Sequence, residues 1–116
     1  MQTISIVVPC YNEQEALPLF YNEITRIAQS MNHYNFEFLF VDDGSSDHTL
    51  DICRDLNLKD SRCNYISFSR NFGKEAAIYA GLEKSTGDYV AIMDADLQDP
   101  PALLPEMIKI LVTENY

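Results

Sequence analysis

Apolar residues in this chain alternate between two rhythms, short unbroken runs and longer stretches with helical spacing. Ile4-Ser5-Ile6-Val7-Val8 is short and β-branched, and Pro9 ends it, which predicts a buried strand. Residues 14–31 carry Leu17, Phe20, Ile24, Ile27, Ala28 and Met31 along one helical face. Phe36 to Val41 predicts a second strand. The polar run Asp42-Asp43-Gly44-Ser45-Ser46-Asp47 then predicts a turn, with Ser46 or Asp47 placed to cap a helix holding Leu50, Ile52, Cys53 and Leu56. Asn64 to Ser69 predicts a third strand, and Gly73 to Ser85 a helix with Ala76, Ala77, Ala80 and Leu82. Thr86-Gly87-Asp88 turns the chain into a fourth strand over 89–93. Pro101 opens a last helix with Leu103, Leu104, Met107, Ile108 and Leu111.

The predicted order is β-α-β-α-β-α-β-α. Strands this apolar, each followed by a helix, imply an α/β fold: a mainly parallel sheet with flanking helices. Ligands of such sheets bind beyond the carboxyl ends of the strands. Three of those ends carry acidic or amide groups, namely Asn12-Glu13, Asp42-Asp43 and Asp94-Asp96, and the fold should gather them on one rim.

The third of these ends is the most informative. The fourth apolar run delivers Asp94 and Asp96 to its own end, and Pro100-Pro101 stops the strand soon after. In an extended chain, residues i and i+2 point the same way, so both carboxylates should face one side. Paired hard oxygen ligands suit Mg²⁺ or Mn²⁺, ions that keep waters and substrate phosphates as their other ligands.

Composition narrows the partners. With 116 residues the chain is one domain or part of one, and 47% hydrophobic residues suffice for a single core. A net charge of -10 opposes nucleic acid, which is bound through Lys and Arg, and opposes contact with an anionic membrane. A nucleotide remains compatible if a divalent cation lies between the charges. Cys10, Cys53 and Cys63 are odd in number and lack CxxC spacing, so they read as reduced thiols of a cytosolic protein. The N-terminus lacks the basic flank and apolar core of a signal peptide, and no run approaches the ~20 apolar residues of a membrane span.

Each remaining motif has a structural reading beside the functional one. Asn12 in Pro9-Cys10-Tyr11-Asn12-Glu13 could simply cap a helix, whereas Tyr11 and Glu13 could border a nucleobase or ribose. Asp42-Asp43-Gly44-Ser45 makes a turn for local reasons, but a turn needs only one carboxylate, and the other could accept hydrogen bonds from a base N–H or ribose hydroxyls. Arg70-Asn71-Phe72-Gly73-Lys74 is the one locally basic stretch, suited to neutralising a phosphate or fixing a loop. It is not a P-loop, and no G-x-G-x-x-G occurs. His33 and His48 lie in polar stretches and read as surface residues.

Taken together, these segments resemble the family-2, GT-A-type glycosyltransferases. The matching pieces are residues 6–13, 41–47, 69–74, 80–83, 86–88 and 93–101, in order along the chain. Asp-Ala-Asp-Leu-Gln-Asp-Pro-Pro most resembles the polyprenyl-phosphate branch, which includes dolichol-phosphate mannosyltransferases and bactoprenol glucosyltransferases. The resemblance implies that Pro9, Tyr11, Glu13, Val41 and Asp43, with neighbouring Asn12 and Asp42, hold the base and ribose of a nucleotide-sugar. It implies that Asp94, Ala95 and Asp96 lie at the pyrophosphate, and that Asp94, Asp96 and Gln98 bind Mg²⁺ or Mn²⁺. The implied reaction is inverting transfer of a hexose from a UDP- or GDP-sugar to a polyprenyl phosphate, at the cytoplasmic face of a membrane.

GT-A domains of that family are roughly twice this length, with acceptor contacts and a candidate catalytic carboxylate in the second half. The sequence therefore reads as the donor-binding N-terminal part of a longer protein, with no catalytic residue expected before Tyr116 and with exposed edges prone to self-association. Two other classes are the alternatives. A phospho-receiver module would need an acidic pair after the first strand, a phospho-accepting Asp after the third, and a fifth strand. A metal-dependent nucleotidyltransferase would open with a glycine-rich loop after the first strand.

Overall fold

The computed structural model describes residues 1–96 and 101–114. The elements are β1 (Thr3–Cys10), α1 (Ala16–Ser30), β2 (Asn35–Asp42), α2 (Thr49–Lys59), β3 (Cys63–Ser67), α3 (Lys74–Lys84), β4 (Tyr89–Ile92) and α4 (Leu104–Glu114). A 3₁₀ turn, Pro101–Leu103, precedes α4. Pro101 thus opens this turn rather than the helix, and Pro105 takes a place in the first turn of α4, where a missing N–H costs nothing.

All strand pairs are parallel, and the sheet runs β3-β2-β1-β4. β1 is central: Cys10 pairs with Asp42 of β2, and Val7 with Ile92 of β4. The chain builds outward from β1 through β2 to β3, then returns to the other side of β1 with β4. That reversal is a topological switch point, where the loops leaving neighbouring strands part and open a crevice.

The two sheet faces are covered differently. Ile4, Ile6 and Val8 of β1 and Phe36, Phe38 and Phe40 of β2 join Leu17, Phe20 and Ile24 of α1, Leu56 of α2 and Leu104 and Ile108 of α4 in one core. Every position placed on the apolar face of the first helix, from Leu17 to Met31, is buried. On the opposite face, α3 lies against β1 and β2 through Gly81, whose missing side chain admits Val7 and Val41. No helix in the described residues comparably covers β4 on that side, and Val90 and Ile92 remain partly exposed.

Several boundaries differ from the sequence reading. β3 stops at Ser67, because residues 68–73 peel away to wrap the end of β2, where the Phe68 N–H donates to Asp42 O. β4 stops at Ile92, two residues before Asp94. The expected cap of α2 is shifted as well: His48 occupies the cap position, while Asp47, one residue earlier, accepts the Thr49 N–H at 2.9 Å. Asn12 does not cap α1, whose cap position is Glu15. It adopts a left-handed φ of 53° and bonds to the next rim loop instead.

Candidate functional site

The crevice at the switch point forms a cavity of about 180 Å³ lined by Pro9, Cys10, Tyr11, Glu13, Asp43, Lys74, Asp94 and Asp96. Its walls come from the ends of β1, β2 and β4 and from the first residue of α3. The expected convergence of three strand ends is therefore what the fold produces.

The β1 loop is held in place by the α2 entry. The Asn12 N–H donates to Ser45 Oγ at 2.9 Å, and Asn12 Oδ1 accepts the Ser46 N–H at 2.9 Å. The Glu13 N–H donates to Thr49 Oγ1 at 2.8 Å, and the Gln14 N–H to Asp47 Oδ2 at 3.3 Å. Burial alone would raise the Asp47 carboxyl, but hydrogen bonds from Thr49 and Gln14 outweigh it and hold the group below its usual range. With its backbone fixed this way, the loop presents Pro9, the half-exposed Tyr11 ring and the Glu13 carboxyl to the cavity.

The β2 end works through Asp43, which is nearly fully buried. Its Oδ1 accepts the Phe72 N–H at 2.7 Å, and its Oδ2 accepts the Gly73 N–H at 3.0 Å and Asn71 Nδ2 at 3.2 Å. Gly44 lets this loop approach. Its φ is +70°, and a Cβ there would run into the backbone of Arg70 and Asn71. Asp43 thereby fixes the start of α3, and Lys74 reaches from that start across the cavity to Asp94, with Nζ 2.7 Å from Oδ1.

Asp94 and Asp96 share the cavity, but not for the reason strand geometry gave. β4 has ended, and residues 95–96 form a turn. Ala95 anchors that turn by packing into the core, which leaves its two neighbours at the opening. Among the described residues, four carboxylates and one ammonium line the cavity. The crowding is felt at Glu13, whose carboxyl is raised above its usual range by burial and then by the charges of Asp96, Asp94 and Asp47.

Not every expected residue meets the cavity. Val41 is buried against α3, and Asp42 is buried with its Oδ1 accepting the Ser45 N–H at 3.3 Å, so both lie beneath the wall. Asn12 stands behind it as a brace. Gln98 lies outside the described residues. Two lining residues were absent from the expected set. Lys74 was legible only as part of a basic stretch beginning after β3. Cys10 was legible as the last residue of a strand; the Cys53 thiol, and then burial, push its own thiol well above the usual range, which keeps it protonated.

Among the described residues, no group of three His, Cys, Asp or Glu side chains is arranged to hold a metal ion. The fit to Mg²⁺ or Mn²⁺ is of a different kind. Two hard carboxylates border an acidic cavity with room for further oxygen ligands, which suits ions that take one or two carboxylates and complete their shell with phosphate and water. No helix in the described residues is long and apolar enough to cross a membrane.

A parallel sheet in this order, with its crevice at the β1 and β4 ends, is the GT-A architecture of glycosyltransferases. It is shared with a mannosyltransferase from Pyrobaculum calidifontis solved in complex with GDP-Man and Mn²⁺, at a TM-score of 0.70 and 26% identity over 93% of this chain and 32% of that one. The sequence pattern of glycosyl transferase family 2 matches residues 5–116, and the chain belongs to that family. It is 50% identical over 106 residues to CsbB of Bacillus subtilis, whose name assigns it to the glycosyltransferases. It is 45% identical over 106 residues to the bactoprenol glucosyl transferase of Shigella phage SfX. Each alignment covers 91% of this chain, but only 32% and 34% of the two relatives, so the chain spans about a third of the curated relatives it matches.

Proposed function

We propose that residues 1–116 form the donor-binding part of a glycosyltransferase that moves a hexose from a UDP- or GDP-sugar to a polyprenyl phosphate, with inversion. The observation that carries this reading is the meeting of Asp94 and Asp96 with Tyr11 and Glu13 around one cavity. Tyr11 and Pro9 offer flat apolar surface to a nucleobase. Glu13 and Asp43 offer acceptors to ribose hydroxyls and base N–H groups. The relative named for bactoprenol supports the lipid acceptor and, with it, work by the full-length protein at the cytoplasmic face of a membrane.

Asp94 and Asp96, with Gln98, are the proposed ligands of Mg²⁺ or Mn²⁺. The Pyrobaculum mannosyltransferase, which was solved with GDP-Man and Mn²⁺ together, supports that assignment. When bound, such a cation offsets the charge that builds on the departing diphosphate. Ala95 keeps the two carboxylates at the opening by burying its methyl group in the core. These residues serve the donor side of the reaction alone.

Calorimetry tests it: the chain should bind UDP or GDP only with Mg²⁺ or Mn²⁺ present, and Asp96→Ala should abolish the heat. A folded sample that binds neither nucleotide with either ion overturns the donor reading.

A further inference from the structure

Lys74 makes an ion pair with Asp94 across the cavity, and the surroundings of the two groups are unequal. The Asp94 side chain is 24% exposed and that of Lys74 is 59% exposed. Backbone hydrogen bonds to Asp43 fix the chain at Phe72 and Gly73, so the helix start that carries Lys74 is anchored. Beyond that anchor, its four-carbon stem ends in a compact, rotatable ammonium that can change partners without moving the backbone.

Asp94 Oδ1 cannot serve an ammonium at 2.7 Å and a divalent cation together without bringing two positive charges into close repulsion. We propose that Lys74 is the resident counter-ion of Asp94, that it gives up this carboxylate when a divalent cation is taken up, and that it then pairs with the incoming diphosphate. The inference rests on the donor-site reading above and adds a coupling to it. The ammonium opposes the cation when the cation arrives alone. It favours the diphosphate once displaced, because the cavity wall otherwise offers that anion carboxylates. Metal and nucleotide diphosphate therefore bind cooperatively, each raising the affinity for the other by the same factor.

The test is direct binding, with no turnover required. Mn²⁺ alone is titrated into the chain and followed by electron paramagnetic resonance. UDP and GDP are then titrated calorimetrically at saturating Mn²⁺. Lys74→Gln should bind Mn²⁺ alone about fivefold tighter than the unsubstituted chain, the upper range for losing one partly exposed ion pair, and should bind the diphosphate more weakly. Lys74→Arg keeps the charge and should retain weak binding of Mn²⁺ alone, which separates charge from packing. Circular dichroism checks that both variants are folded. If the unsubstituted chain binds UDP or GDP with Mn²⁺ but Lys74→Gln takes up Mn²⁺ no tighter, the counter-ion role is overturned and the donor reading stands. If the unsubstituted chain binds neither nucleotide, both are overturned.

Discussion

The Phe72 N–H donates to Asp43 Oδ1 at 2.7 Å, a bond that ties the end of β2 to the loop that starts α3. Asp43 also takes the Gly73 N–H and the Asn71 amide. A carboxylate expected to face a ligand is thus equally a fastener for the cavity wall. Asp43→Asn places an amide N–H₂ against these donors. It should lower stability by about 1–2 kcal/mol, the cost of leaving a buried donor unmet, read from the urea midpoint. It should also weaken nucleotide binding, because Lys74 loses its fixed base.

A second carboxylate gives the fold a pH dependence away from the cavity. Glu37 accepts Ser5 Oγ at 2.7 Å, the Thr86 N–H at 3.0 Å and Thr86 Oγ1 at 3.0 Å. Burial pushes the Glu37 carboxyl up, but these bonds outweigh it and hold the group below its usual range. A depressed folded-state value adds stability above the unfolded value of about 4.3, and that stability is lost as pH falls through the folded value. Glu37→Gln should therefore cost about 1 kcal/mol at neutral pH. Urea titrations repeated at falling pH should show the gap to the unsubstituted chain closing below about pH 4.

Gly81 meets Val7 so closely that a Cβ would fall on the Val7 side chain. Gly81→Ala should destabilise by about 1–3 kcal/mol through overpacking. Val7→Ala opens the space that the new methyl needs. The double substitution should therefore cost less than the sum of the two singles, and a strictly additive urea result would count against this contact.

Exposed apolar surface gathers on β4 and α4. Val90 and Ile92 lie on the edge strand, and Leu103, Met107 and Ile110 leave a second apolar face on and before α4 beside the buried one. We expect this chain to self-associate through these surfaces, since open edges and apolar patches template pairing. Light scattering should show mass rising with concentration, and Ile92→Lys should suppress the rise. A monomer at every concentration would contradict the expectation.

Much of the architecture was legible because the strands are so uniformly apolar. Ile4 to Val8 and Phe36 to Val41 have no competing reading, and the intervals from Leu17 to Met31 predicted the buried face of α1 residue by residue. The rim was harder to read. Asn12 carries a strong local preference for capping, but Ser45 Oγ, the Ser46 N–H and, at the start of α2, Thr49 Oγ1 compete for that segment and win. The pairing of Asp94 with Asp96 was inferred from strand alternation, whereas a turn anchored by Ala95 brings them together. Lys74 could not be placed from spacing, because its reach to Asp94 depends on where Asp43 holds the start of α3.

The position of β4 beside β1 has a consequence for the order of folding. β1, β2 and β3 can pair as successive neighbours. The other edge of β1 waits until residues 89–92 arrive, and the Thr3 N–H finds its Asp88 partner 85 residues along the chain. Contacts so distant in sequence form late, because a long loop must close before they repay its entropy. The cavity's two halves should therefore be joined late, when β4 docks. Hydrogen exchange should find the β4 amides opening more readily than those of β2, so that the carboxylates proposed for the cation follow a readily detached edge of the sheet.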